Sequence, residues 1–277
     1  MSMGAAIHPT ALVSPDAELG GGVRVGPYSV VDANAKIGGG TIIESFARVT
    51  SWADIGRNCH IFENAVIGQD PQDHDFGQER SYVRIGDDVI IRENVTIHRA
   101  TGEDCETVVG QGCLIMEGCH LGHNVRMGKY CTVTSKTGFS GHVQIGDYVV
   151  VGGLSGFHQF VRVGSYAMIG GMTKAIKDIP PYSLVDGNPA YIYGLNTVGL
   201  RRRGFTQEQR THIKNIYRML FDRRFRHREA LAMIEERFPD DVFAREIVAF
   251  AKSTRRGLFQ WRGGRTKLAR EPEEEEE

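Results

Sequence analysis

The sequence predicts a mainly β fold: a parallel β-helix built from hexapeptide repeats, followed by a C-terminal α-helical domain. Three observations carry this. From Ile7 to Ala175 every sixth residue is apolar at 26 of 29 positions. A second register four residues on holds small or β-branched residues such as Ala35, Ala47, Val89, Val125 and Ala167. After the consecutive prolines Pro180-Pro181 the period of six stops, and apolar spacing becomes helical.

Each hexad supplies a short strand and a turn, with one large and one small side chain inward and frequently a glycine (Gly20, Gly38, Gly128) at the bend. A lone coil cannot bury its apolar side, so the coils must stack. An amphipathic helix repeats at 3.6 residues and a hairpin sheet at two, so neither fits. The three exceptions, Asp73, Glu79 and Glu103, fall in polar stretches read as loops over about 70–82 and 99–107. Loops on a rigid scaffold are common seats of function. Thr206 and Gln209 form a capping box that opens a helix with Ile213, Ile216, Tyr217 and Leu220 on one face. A second helix is expected over roughly 228–237, and a third after Asp241 carrying Val242, Phe243, Ile247 and Phe250. The domains are thus 1–190 (β-helix), 191–260 (helical) and 261–277, a basic then acidic tail read as disordered.

The chain has 277 residues and a formal net charge of −1, so bulk electrostatics predict no nucleic-acid binding. No apolar run is long enough for a transmembrane segment, and the N-terminus lacks the character of a signal peptide. Five cysteines without paired metal spacing indicate a reducing, cytoplasmic setting. Cys59, Cys113, Cys119 and Cys131 lie in the small inward register and read as packing residues.

With three hexads per coil, as in known triangular β-helices, residues eighteen apart stack. His123, His142 and His158 then lie on one side of successive coils, with His120 at the adjoining corner. His98 is expected one coil below the hexad containing His120. None of the five is inward. Such a cluster suits general-base catalysis near neutral pH. It also suits a zinc site of three imidazoles with one open position.

The repeat, the His120-x-x-His123 element, Thr96-Ile97-His98-Arg99, Ser140-Gly141-His142-Val143, Phe157-His158-Gln159-Phe160 and Gly199-Leu200-Arg201-Arg202-Arg203-Gly204-Phe205 together resemble the UDP-N-acetylglucosamine acyltransferases of lipid A biosynthesis. The resemblance runs from about Ile7 to Leu258. It implies a left-handed β-helix, a homotrimer with sites between subunits, and transfer of an R-3-hydroxyacyl chain from acyl carrier protein to the sugar 3-position. It implies no cofactor beyond the carrier and no bound metal. His123 matches the general base, and the Gly141 N–H the oxyanion donor. His98, His120, His142, His158 and Gln159 match acceptor- or acyl-contacting positions, and Asp73 a sugar contact. Asn196 and Arg203 match nucleotide contacts, Gly171 the gauge of acyl length, and Arg201 and Arg202 part of a carrier-docking face. Three positions depart from the family pattern. Asn124 stands where aspartate is typical, Asp75 where a phosphate-contacting lysine is usual, and Val198 where glutamate is common. These departures bear on the acceptor more than on the reaction: it is UDP-N-acetylglucosamine or a close analogue such as a 3-amino sugar. The alternatives are a hexapeptide transferase using acyl-CoA on another acceptor, and a zinc-dependent β-helical hydratase.

Overall fold

In the computed structural model, which describes residues 4–262, the chain winds into a left-handed coil of three parallel sheets. Sheet I has eleven strands, sheet II nine and sheet III eight, and nearly all the strands are two residues long. The large register fills the interior: Ile43, Ile61, Ile91, Ile97, Leu121 and Phe139 are essentially inaccessible. The small register packs between them, and Cys59, Cys113, Cys119 and Cys131 are buried there as expected.

Stacking follows the predicted step at first, with Arg24 paired to Ile42. The step then lengthens twice. His60 pairs with Ile90, and Ile90 with Leu114, because each of two coils carries a loop. The first loop covers 70–81 and the second 99–105, both between a sheet II strand and a sheet III strand. This lengthening corrects one expectation. Ile97 pairs with Leu121, so His98 lies beneath the hexad of His123 rather than beneath the hexad containing His120. The sequence step of eighteen overlooks the six residues that the second loop adds.

The corners also differ from expectation. The residue forced into the left-handed region is the third after the large inward one. It is mostly not glycine: Tyr130, Lys136, His142, Tyr148, Leu154 and Tyr166 all have φ between 56° and 61°. Each such residue costs about 1 kcal/mol or more, and stacking of their side chains between coils offsets part of it. Tyr130, Tyr148, Tyr166 and Tyr182 form a ladder with ring centroids 5.1, 5.0 and 5.7 Å apart. The glycine after the large residue serves close approach instead. A Cβ on Gly20 would lie 2.5 Å from the backbone nitrogen of Gly39 in the next coil.

Between the last repeat and the helices lies an antiparallel hairpin, Ser183–Gly187 with Ala190–Leu195, which closes sheet I. Four helices follow: α1 (Thr197–Arg202), α2 (Gln207–Leu220), α3 (His227–Arg237) and α4 (Val242–Lys252). The Thr206–Gln209 capping box is present, and Ile213, Ile216, Tyr217 and Leu220 are the buried face of α2. On α4 the buried face is Ala244, Ile247, Val248 and Ala251, whereas Val242 is exposed. The chain then returns to the β-helix. Phe259 enters its core, and the Arg262 N–H donates to the Ile192 carbonyl (2.7 Å). Trp261 and Arg262 therefore belong to the fold, and the rest of the expected tail, 263–277, lies outside the described residues.

Candidate active site

A cleft of about 600 Å³ runs along the outer face of sheet II, reaching the corner where that sheet turns into sheet III. Its floor is the outward file His120, Gly138, Gly156 and Lys174, one residue per coil. A Cβ on either glycine would meet nothing within 4 Å, so the two glycines open a trough between the histidine and the lysine.

His123 stands at the sheet II–III corner and is 7% exposed. It is outside the coil interior, as the register requires, and the two loops cover it. Its Nδ1 lies 2.8 Å from the Asn124 Oδ1. An amide oxygen only accepts, so Nδ1 carries the proton and Nε2 keeps its lone pair. Asn124 is itself held twice: its Oδ1 accepts from the Thr101 N–H (3.0 Å), and its Nδ2 donates to the Thr101 carbonyl (3.0 Å). On the other side of the ring, the Asp73 Oδ2 sits 3.7 Å from His123 Nε2 and accepts from the Thr101 hydroxyl (3.1 Å). Hydrogen bonds, first from the Asp75 N–H and then from Thr101, hold the Asp73 carboxyl below the usual range.

The loops are tied to each other as well as to His123. Glu79 accepts from the Gly102 N–H (2.6 Å), and Arg80 meets Asp104 (2.8 Å). Arg99 bridges to Asp70 (2.9 Å) and lies over the Phe76 ring. Glu79 stood out in the sequence only as a break in the period and Arg99 only within a motif; none of these pairings was legible there. Loop residues have no register, and only their departure from the period of six marked the segments.

Gly141 lies one coil above, against the face of His123. A Cβ there would stand 2.3 Å from His123 Nε2, so only glycine lets the ring occupy its place. Among the described residues, nothing accepts a hydrogen bond from the Gly141 N–H. His142 crosses His123 edge to face with centroids 5.1 Å apart and stacks on Phe160. Below, His98 meets His120 edge to face at 4.9 Å, and the Thr96 hydroxyl lies 2.7 Å from His120 Nδ1. Burial, followed by the neighbouring His120 and His123, pushes the His98 pKa down to about 4. Burial also lowers His120 and His142. All three imidazoles are therefore neutral hydrogen-bonding groups near pH 7. His158 and Gln159 line the cleft further up and are exposed.

The structure thus gathers His98, His120, His123, Gly141, His142, His158, Gln159 and Asp73 around one corner. Four other sequence candidates lie elsewhere in the chain. Gly171 is at the sheet I–II corner. Asn196 caps α1 through the Gly199 N–H and donates to the Tyr166 carbonyl. Arg203 lies over Tyr148 at the sheet III–I corner, and Arg202 is exposed on α1. Among the described residues no group of three or more His, Cys, Asp or Glu side chains is arranged to hold a metal ion.

Comparison with known proteins agrees with this architecture. The family profile described as Udp N-acetylglucosamine O-acyltransferase, domain 2, matches residues 178–259, the end of the β-helix and the helical domain. An acyl-[acyl-carrier-protein]–UDP-N-acetylglucosamine O-acyltransferase of Sulfurihydrogenibium is 47% identical over 91% of this chain and 93% of its own. One from Thermodesulfovibrio yellowstonii is 38% identical over 91% of this chain and 98% of its own. The crystal structure of the Francisella novicida UDP-N-acetylglucosamine acyltransferase superposes with a TM-score of 0.88 at 36% identity, covering 92% of this chain and 94% of that one. Likeness of this extent spans coil, loops and helices together, and the chain belongs to the UDP-N-acetylglucosamine O-acyltransferase family.

Proposed function

We propose that this protein transfers an R-3-hydroxyacyl chain from acyl carrier protein to the 3-position of UDP-N-acetylglucosamine or its 3-amino analogue, the first step of lipid A biosynthesis. The observation that carries the reading is the pairing of His123 with Gly141. A basic nitrogen with its tautomer fixed by Asn124 stands against a backbone N–H that has no acceptor among the described residues. Nε2 takes the proton of the acceptor's 3-substituent as that atom attacks the thioester carbonyl. The Gly141 N–H meets the oxyanion, and collapse expels the pantetheine thiolate. His98, His120, His142, His158, Gln159 and Asp73 contact the sugar and the acyl chain.

The remaining candidates act from a neighbouring subunit. Asn196 and Arg203 lie by the sheet III–I corner and Arg202 on α1, away from the corner of His123, so one chain does not bring these three to its own cleft. A threefold assembly with clefts between copies does, and this supports a homotrimer. In that role Asn196 and Arg203 bind the nucleotide, Gly171 gauges chain length, and Arg201 and Arg202 face the acidic carrier. Catalysis needs no cofactor beyond the carrier. No helix among the described residues is long and apolar enough to cross a membrane, which is compatible with a cytoplasmic enzyme.

The 3-amino acceptor is favoured by Asn124, which orients His123 without adding charge, and by Asp73 beside Nε2, which suits an ammonium. Product masses from acyl carrier proteins of several chain lengths, with each nucleotide sugar, test both readings. Loss of the base in His123→Ala should cost about 10²–10⁴-fold. Unchanged turnover in that variant, or faster turnover of UDP-N-acetylglucosamine than of its amino analogue, overturns the respective claim.

A further inference from the structure

Asn124 gives His123 a neutral partner, so the charge that balances the imidazolium must come from elsewhere. The titratable groups facing the ring are Asp73 from the first loop, His142 from the coil above and His98 from the coil below. Only Asp73 is negative. Its Oδ2 is 3.7 Å from Nε2, outside hydrogen-bond range; the Thr101 hydroxyl donates to that oxygen, and the Asp75 N–H donates to Oδ1 (3.2 Å). The same residue fixes the other side of the ring, since its backbone N–H and carbonyl clamp the Asn124 amide on both edges. One residue of the second loop therefore controls both nitrogens of the imidazole.

We propose that Thr101 is a positioning residue for the base: its backbone locks the Asn124 amide against Nδ1, and its hydroxyl holds the Asp73 carboxylate as a counter-charge beside Nε2 without closing on it. This rests on the reading of His123 as the general base. An unrestrained carboxylate would pair directly with protonated Nε2, occupying the lone-pair position that must accept the acceptor's proton. With its Oδ2 already satisfied by Thr101, Asp73 stays back and leaves room for the acceptor. When Nε2 takes the proton, the imidazolium has N–H groups toward Asn124 and toward Asp73, and the charge is balanced across the loops. The arrangement also makes an asparagine the better residue at 124. A carboxylate there would set a second oxygen against the Thr101 carbonyl and lose the donor that now meets it.

The test is the pH dependence of kcat/KM for the full chain with acyl carrier protein thioester and the nucleotide sugar, in wild type and in Thr101→Val, Thr101→Ser, Asp73→Asn and the Asp73→Asn/Thr101→Val double variant. Valine keeps the backbone clamp and the branching but frees the Asp73 Oδ2 to turn toward Nε2 about the Oδ1 that the Asp75 N–H holds, so the acidic limb moves up by about one unit. Activity then falls about threefold at neutral pH and is regained at alkaline pH. Serine keeps the wild-type limb. Asp73→Asn removes the counter-charge and moves the limb down, and in that background the valine substitution no longer shifts it. Thr101→Ala repeats the valine measurement if the branched methyl is not accommodated. An unmoved or lowered limb in Thr101→Val, or a valine shift that persists without Asp73, overturns the proposal. His123→Ala run alongside separates the two readings, because retained turnover there removes the base itself.

Discussion

Substitution of Gly141 by alanine is the sharpest single perturbation of the site. The new Cβ would stand 2.3 Å from His123 Nε2, 2.5 Å from Cε1 and 2.9 Å from Cδ2, against an ordinary contact of at least 3.4 Å. The ring must retreat by about 1 Å, and the 2.8 Å bond from Nδ1 to Asn124 stretches or breaks with it. A displacement of this size at a proton-transfer group costs on the order of 10²-fold, or about 2.7 kcal/mol of transition-state stabilisation. Stability should change little, because Gly141 does not lie in the left-handed region and no backbone strain is added. Release of free carrier thiol, followed continuously with a thiol-reactive dye, gives kcat and KM, and thermal melting reports folding. A folded Gly141→Ala protein with at least half the wild-type kcat would refute the claim that the ring does chemistry where it stands.

Three further outcomes concern His98, Gly171 and Tyr217. His98 is neutral when folded, with a pKa of about 4 against 6.5 for the free side chain. Its contribution is intact above pH 6.5 and is lost as pH falls toward 4, by up to ~3 kcal/mol. Denaturant midpoints across that range should fall less in His98→Gln than in wild type, and an identical slope would exclude His98 as the cause. At Gly171 a Cβ would meet only the Gly153 backbone, its carbonyl oxygen at 3.3 Å and its nitrogen at 3.9 Å, so Gly171→Leu should fold and shift preference to shorter acyl chains. An unchanged preference over a series of acyl carrier proteins removes Gly171 as the gauge. The fully buried Tyr217 donates its hydroxyl to the Pro181 carbonyl where the helices meet the coil. Tyr217→Phe should therefore destabilise by about 1–2 kcal/mol with activity at 25 °C intact, as melting and turnover would show.

The coil was readable because its period is enforced by burial: an inward position that loses its apolar residue exposes a gap in every neighbouring coil. That same period placed His120, His123, His142 and His158 outside the core. It failed for His98 because the register counts residues, and the second loop inserts six that belong to no strand. The loops were visible only as interruptions, Glu79 among them, and Arg99 only within a motif, so the roles of Thr101, Glu79 and Arg99 in tying the loops carried no signal. Their importance comes from contacts across twenty or more residues of sequence. The hairpin at 183–195 was missed for a different reason. It carries no period of six, and its pairing is fixed by closure of sheet I rather than by its own alternation. The αL corners were hidden because a tyrosine in a left-handed turn is unfavourable locally and gains from stacking on its counterpart a coil away.

Asn124 shows how these two kinds of information combine. On sequence alone it is a defect, a neutral residue where an imidazolium would be better served by a carboxylate. In the structure its side chain completes a two-point pairing with Thr101 that only an amide can make, with oxygen toward N–H and nitrogen toward carbonyl. The negative charge that remains beside the ring stands on its far side, on Asp73. With a carboxylate on the Nε2 side alone, the acceptor meets that charge directly. A group entering between His123 and Asp73 faces a base and an anion together, an environment that attracts a protonated amine and discourages a neutral hydroxyl only weakly. The departure at 124 and the position of Asp73 therefore form one feature, and acceptor choice is where its consequence should be largest.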